Sequence, residues 1–372
     1  MAKVPPYRAD HVGSFLRPAR LAEAREKFFD GKLAADELRS IEDECIAELV
    51  SKQEQVGLKG ITDGEFRRTF FHVDFLEQLD GVNVSYGEFS AKFRKDDGTE
   101  VGFRPPTIHV DSKIAHGYPI QGADFDFLKS KVSQTPKVCI PAPSMLHFRG
   151  GRKGISETVY PDLEQFYDDL TTAYADEITD LAARGCQYLQ MDDTNLAYLC
   201  DPEIRQSTID RGDDPDELTH LYCKMVNDAI RNRPANMAIT VHLCRGNFKS
   251  AWVAQGGYEP VADILLNEMN IDGFFLEYDD ERSGDFAPLR FLPKDKQVVL
   301  GLMSSKVGAV ESSEEIIKRI NEAAEYAPLD QLSLSHQCGF SSTAHGNDIT
   351  EDDQWRKLER CVDVAREVWG DD

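Results

Sequence analysis

Residues 162–193, DLEQFYDDLTTAYADEITDLAARGCQYLQMDD, contain the unit from which the rest of the chain is read. Residues 162–184 form a helical stretch that stops at Gly185, because glycine readily takes the left-handed conformation just past a last turn. Residues 186–193 follow as a short run, apolar in its middle and ending on Asp192 and Asp193. Short apolar runs alternating with helices read as parallel strands buried on both faces. The pattern repeats upstream at 8–15 (RADHVGSF), 58–65 (LKGITDGE) and 136–142 (PKVCIPA). Downstream it repeats at 237–244 (MAITVHLC), 272–279 (DGFFLEYD), 297–303 (QVVLGLM) and 331–338 (QLSLSHQC). A helix over 40–56 stops at Gly57, and Ser312 and Glu315 have capping-box spacing ahead of Ile316, Ile317 and Ile320. Eight strand–helix units predict an α/β fold of the (β/α)8 TIM-barrel class. A doubly wound sheet would carry a Gly-rich phosphate turn after an early strand, and neither GxGxxG nor GxxxxGK[ST] occurs. The expectation is a single TIM-barrel domain over residues 1–372. A long insertion after the second strand, residues 66–135, is rich in Gly, Pro, Asp and aromatics and is expected to lie over the barrel mouth.

Composition narrows the function classes. The chain has 372 residues, with 42 Lys plus Arg against 66 Asp plus Glu, a net charge of −24. A hydrophobic share of 41% is enough for a sizeable core and argues against disorder as the main state. The acidity argues against nucleic-acid partners and against anionic membrane surfaces. No apolar run reaches the roughly 18 residues of a spanning helix. Residues 1–10 lack the apolar segment of a secretory signal, so a cytoplasmic location is expected. Eight cysteines scattered from Cys45 to Cys361 fit free thiols rather than a disulfide framework.

In a barrel the chemistry gathers at the C-terminal strand ends. Here those ends carry Ser14, Asp63, Glu65, Asp192, Asp193, His242, Cys244, Glu277 and Cys338. Buried strand ends this rich in ionisable groups point to use. His242 and Cys244, two residues apart on one strand, share a face, and imidazole beside thiolate suits zinc. Glu277 and Cys338, ending two later strands, complete a four-donor set. His336 and Cys338 form a second His-x-Cys pair, so spacing also allows His242, Cys244, His336 and Cys338. Cys45, Cys186, Cys223 and Cys361 read as buried thiols and mid-strand Cys139 as core. Cys200, on a loop, stays open. Arg67, Arg68 and Arg245 follow strand ends, where each could bind a carboxylate or sulfonate or lie on the surface.

Taken in order, HVGSF (11–15), DGEFRR (63–68), PAPSML (141–146), QMDD (190–193), HLCRGNF (242–248), LEYD (276–279) and QCGF (337–340) resemble the cobalamin-independent methionine synthase family. The chain is most similar to its short single-barrel members, which correspond to the C-terminal half of the full-length enzyme. The resemblance implies zinc held by His242, Cys244, Glu277 and Cys338, favouring Glu277 over His336. It implies Gly13 and Ser14 for the carboxylate of homocysteine, and Glu65 and Asp192 for its ammonium. It places Phe148 beside the methyl donor, where full-length enzymes carry a Trp. Those enzymes also carry a catalytic His after strand seven. This chain has no His between His242 and His336, and Lys306 falls near that slot. A lysine serves as an acid there only if its pKa is brought down.

The implied activity is zinc-dependent methyl transfer to the homocysteine thiol, giving methionine. 5-Methyltetrahydrofolate, a methylated corrinoid carrier protein and a small methylated metabolite stand open as donors. Two alternatives stand beside it. One is zinc-dependent alkyl transfer to another thiol, as in epoxyalkane:coenzyme M transferases. The other is a non-catalytic zinc- or thiol-binding protein.

Overall fold

The computed structural model describes residues 5–86, 91–95, 98–103 and 106–370. Its first half comprises α1 (Ala19–Phe29), α2 (Ala35–Val56), β1 (Gly60–Ile61), α3 (Val73–Leu76), β2 (Asp80–Ser85), β3 (Ala91–Arg94), β4 (Glu100–Phe103), β5 (Thr107–Ala115), α4 (Gly122–Lys131) and β6 (Thr135–Pro141). There follow α5 (Leu163–Ala183), β7 (Tyr188–Asp193), α6 (Asn195–Tyr198), α7 (Pro202–Asp210), α8 (Pro215–Ala229), β8 (Ala238–Leu243), α9 (Glu259–Glu268), β9 (Gly273–Glu277), β10 (Gln297–Met303), α10 (Ser313–Ala323), β11 (Leu332–His336) and α11 (Glu351–Trp369).

Seven strands form one curled sheet in the order β1-β6-β7-β8-β9-β10-β11, and every pairing is parallel. Strands β7, β9 and β11 are buried at every position, as expected of a sheet covered on both faces. Helix α5 shows how the sequence builds the covering layer. The Asp162 side chain accepts the Glu164 N–H at 3.0 Å to open it, and Gly185, at φ 92°, follows its end. Between them Phe166, Leu170, Tyr174, Ile178 and Leu181 recur at helical spacing and are buried. Burying a side chain of the Val, Leu, Ile, Phe or Met class contributes about 1.5–3 kcal/mol relative to leaving it exposed. Ser312 caps α10 by accepting the Glu315 N–H at 3.2 Å.

Two expected strands come out shorter than read. Residues 8–15 make a single bridge, Ala9 to Leu334 of β11, with backbone bonds of 3.0 and 2.9 Å. The cause is local. Asp10 turns its carboxylate onto the backbone N–H groups of His11 (2.8 Å) and Tyr7 (3.1 Å), drawing donors away from a ladder. On its other side the segment reaches β1 through His11 Nε2 to Gly60 O at 2.9 Å, and the following loop through Thr62 Oγ1 to Gly13 O at 2.6 Å. It thus lies in the seam between the first and last strands of the ladder. The strand expected over 58–65 shrinks to Gly60–Ile61 because Thr62 and Asp63 bond the N–H groups of Gly64 and Glu65 instead.

The long connection from β1 to β6 contains α3, α4 and two antiparallel pairs, β2 with β5 and β3 with β4. Residues 87–90, 96–97 and 104–105 of the expected insertion lie outside the described residues. The described part is tied to loops that follow the strand ends. Arg94 bridges Trp252 and Phe70 bridges Thr343, both antiparallel.

Candidate metal and thiol site

Three strands deliver four donors to one place. His242 lies near the end of β8, Cys244 one residue past it, Glu277 at the end of β9, and Cys338 two residues past β11. One donor atom from each lies within 4.8 Å of the others, and all four residues are buried. The two sulfurs are 3.5 Å apart. Both ring nitrogens of His242 lack a hydrogen-bond partner, although the residue is only 2% exposed. An imidazole enclosed by two sulfurs and a carboxylate, with both nitrogens unused, is the arrangement a bound cation resolves. The Cys244–Cys338 hydrogen bond drives the Cys338 thiol well below its ordinary range and pushes that of Cys244 up. Burial pushes Glu277 up to about 7, against the pull of Lys306. The residues therefore fit zinc. His336 is not part of the cluster: its ring packs on Phe340 at 4.8 Å.

The thiol-side residues converge beside the four. Gln190 and Asp192 share one face of β7, and Gln190 Nε2 donates to Asp192 Oδ1 at 2.7 Å. Asp193 points the other way, where it accepts from Ser144 and from the Leu196 N–H. Burial, then repulsion from Glu65, raises Asp192 to about 7. Glu65 holds a backbone φ of 56°, a strained value for this residue type, with Asp63 accepting its N–H at 2.8 Å. Its carboxylate is already answered by Arg68 Nε at 2.5 Å. Asp192 instead accepts from the neutral Gln190 amide. Gly13 has no room for a side chain: a Cβ there would stand 2.5 Å from Cys139 Sγ and 2.9 Å from Glu65 Oε1. Ser14 Oγ accepts the Ser341 N–H at 3.3 Å.

These groups open on a cavity of about 290 Å³ whose wall includes Ser14, Glu65, Asp192, His242, Cys244 and Cys338. Phe93, Phe148, Tyr198 and Phe248 give it aromatic sides, and the Arg211 guanidinium lies 4.8 Å above the Phe148 ring.

The remaining arginines separate. Arg67 is locked by Glu42, Asp43 and Asp124, and Arg68 joins the cavity wall. Arg245 is 1% exposed, beneath the Tyr258 ring at 4.4 Å, so a surface position is excluded. Cys200 is a core thiol raised to about 11 by burial. None of the eight cysteines is in a disulfide.

Sequence reading misplaced Cys139, whose sulfur stands with Glu65 and Asp192 in a second cluster at the mouth. It also missed His72, 4% exposed in the cavity wall with Nε2 2.9 Å from Arg149. Neither lies at a polar strand end, the signal used to choose candidates. Lys306 is 4% exposed; burial lowers its pKa, while the charges of Glu277, Asp279 and Cys338 raise it above the ordinary lysine range.

The chain is similar to known proteins over most of its length. The chain is 45% identical to the uncharacterized protein YxjH of Bacillus subtilis over 98% of this chain and 95% of that one. It is 25% identical to a methionine synthase of Saccharolobus solfataricus, over 91% of this chain and 90% of the relative. A solved structure of a candidate vitamin-B12-independent methionine synthase from Listeria monocytogenes superposes with a TM-score of 0.80 at 40% identity, covering 99% of both chains. Residues 8–367 match the profile of the cobalamin-independent synthase catalytic domain, and the chain belongs to that family.

Proposed function

We propose that the protein is a zinc-dependent S-methyltransferase that methylates the thiol of homocysteine to give methionine. The observation that carries this reading is the buried cluster of His242, Cys244, Glu277 and Cys338 on the wall of a cavity that also presents Asp192. In the same reading residues 8–15 supply the eighth stave of a single barrel domain, the described part of residues 66–135 roofs its mouth, and the protein works in the cytoplasm. Among the described residues no helix is long and apolar enough to cross a membrane.

His242, Cys244, Glu277 and Cys338 would hold the metal. When bound, zinc supplies the charge that keeps a substrate sulfur as thiolate at neutral pH, where a free thiol with pKa near ~8.5 is mostly protonated. The other steps belong to the chain. Asp192 takes the substrate ammonium, which relieves the repulsion and lost solvation that raise its pKa. Glu65, held by Arg68, borders the same site, and Gly13 and Ser14 face the carboxylate. The aromatic side of the cavity at Phe148 and Tyr198 excludes water and orients the donor for in-line transfer.

The test is methionine formation from L-homocysteine in a donor screen. Its arms are 5-methyltetrahydrofolate, a methylated corrinoid protein and small methylated metabolites. Turnover with any of them excludes a purely zinc-binding protein, and no turnover with all three sinks the proposal. The acceptor is tested separately. Asp192→Asn is expected to weaken homocysteine binding about tenfold or more, the scale of a lost charge-assisted contact. Binding of 4-mercaptobutyrate, which lacks the amine, should hardly change. Preference for coenzyme M, or equal use of both thiols by the unmodified protein, would show that Asp192 is not an ammonium site.

The fourth ligand has its own check. Glu277→Ala should weaken zinc at least about tenfold more than His336→Ala does, since only the first removes a donor. The reverse order, read by competition with a chromophoric chelator, would reassign the ligand.

A further inference from the structure

Glu65, Cys139 and Asp192 form a second set of donors, and their donor atoms also lie within 4.8 Å of one another. Strand register assembles two of them. Cys139 of β6 lies opposite Gln190 of β7, and Gln190 shares its face with Asp192. Glu65 comes from the loop after β1. Its Oε2 accepts Arg68 Nε, which leaves Oε1 on the side of Cys139: the same Cβ on Gly13 would stand close to both. The Cys139 thiol contacts Val12 O at 3.4 Å, a long bond from a weak donor. Gln190 adds a buried acceptor. It is fully enclosed, and its Nε2 donates to Val12 O at 2.6 Å and to Asp192 Oδ1 at 2.7 Å, while its Oε1 has no hydrogen-bond partner. Both partners of Nε2 are acceptors, so the amide cannot be turned over without losing them. An enclosed acceptor left unanswered is the exception in folded proteins.

These groups also burden one another. Burial, then the charges of Asp192 and Glu65, pushes the Cys139 thiol well above its ordinary range. One divalent cation offsets all of these charges at once. An ammonium would be served by the carboxylates alone. The sulfur sets the cluster apart, because a thiolate among oxygen donors favours a borderline ion such as zinc over magnesium or calcium. The site is also reachable. Cys139 and Glu65 line a cavity of about 250 Å³ bordered by α3 and α4, and Glu65 and Asp192 line the neighbouring cavity of about 290 Å³.

We propose that Cys139, Glu65 and Asp192, with the side-chain oxygen of Gln190, form a second site for a divalent cation of the zinc class, and that an ion there shuts out the amino-acid substrate. The exclusion rests on the function proposed above, since the ion takes the carboxylates assigned to the substrate ammonium; the metal site itself does not rest on it. On binding, the Cys139 thiol gives its proton to solvent, one sulfur–metal bond and the oxygen–metal bonds form, and nothing is oxidised or reduced. Arg68 keeps Glu65 Oε2 throughout. Zinc in excess of what the first cluster holds then acts as a brake on the thiol substrate.

The experiment is equilibrium dialysis of the untagged full chain against buffered free zinc, read by elemental analysis. The unmodified chain should take up a second zinc, more weakly than the first. In Cys139→Ala and Cys139→Ser the second zinc should weaken about tenfold or more, the scale of a lost thiolate donor. The first zinc should stay, which shows that the variants have folded. A single zinc in the unmodified chain, or an undiminished second zinc in both variants, overturns the site. Cadmium gives a check that needs no variant: the sulfur-to-metal absorption band should grow as the second ion binds, because a third thiolate joins two, and a band that stays flat also overturns the site. The exclusion is read by adding L-methionine, which has the ammonium but no free thiol to chelate metal. It should weaken the second zinc about tenfold, and 4-(methylthio)butyrate, which lacks the amine, should not. A second zinc indifferent to methionine overturns the exclusion and the ammonium assignment of Asp192 together, and leaves the metal site standing on the dialysis result.

Discussion

Cys338→Ser is expected to leave the protein nearly free of zinc after purification without chelator, and Cys244→Ser to do the same. Each removes one of two sulfurs that lie 3.5 Å apart in a cluster closed to solvent. Serine is nearly isosteric but stays protonated and hard, so it cannot replace a thiolate donor. Zinc binding in small four-ligand sites is worth about 10–16 kcal/mol, so one donor carries about 3 kcal/mol, roughly 100-fold in affinity. Methylation should fall with the metal. The fold should hold, because the donors sit at strand ends above a core they do not fill. Cys361→Ser makes the comparison: that thiol is fully buried between α11 and the barrel, away from the cluster, and its loss should leave zinc content unchanged. Elemental analysis reads all three. Full retention of zinc in both cluster variants would end the zinc reading.

The second large effect concerns stability. Asp10→Ala is expected to destabilise the protein by about 3–5 kcal/mol, the usual consequence of leaving a buried charge without its partner. Asp10 is fully buried, and its Oδ1 accepts Lys137 Nζ at 3.0 Å and the His11 N–H at 2.8 Å. Its Oδ2 accepts the Tyr188 hydroxyl at 2.7 Å and the Tyr7 N–H at 3.1 Å. Lys137 is itself shut from solvent, between the rings of Tyr188 and Phe275 at 4.7 and 4.4 Å. Without Asp10 the ammonium keeps only the His11 carbonyl, and residues 8–15 lose the clamp that holds them in the seam. The surface pair Asp30–Lys32 provides the contrast. Its loss through Asp30→Ala should cost under about 1 kcal/mol. Denaturant midpoints of the two variants check this, and near-equal midpoints would show that the Asp10 pair is not holding the seam.

Much of the fold is legible because a buried parallel strand declares itself by composition and a helix by its stops. Gly185 and the apolar run behind it define α5 and β7 from sequence alone; β6 begins one residue before its expected stretch, and the strands from β7 onward fall within theirs. The failures are instructive. Residues 8–15 and 58–65 look like strands by composition, yet Asp10, Thr62 and Asp63 spend their side chains on nearby backbone groups. A local hydrogen bond of that kind competes directly with the ladder, and which of the two wins depends on the neighbours the chain meets.

The candidate site divides along the same line. By itself the sequence determined which residue types stand at strand ends and which share a face. The two-residue period of a strand puts His242 with Cys244, and sends Asp192 to one face and Asp193 to the other. Tertiary structure alone decided what meets across strands. It brought Glu277 rather than His336 to the two sulfurs, set Cys139 beside Asp192, turned Arg68 onto Glu65, and buried Lys306. The reason is geometric. Spacing along one chain fixes direction, whereas distance between strands depends on their register and on the curl of the sheet, which the packing of the whole core sets together.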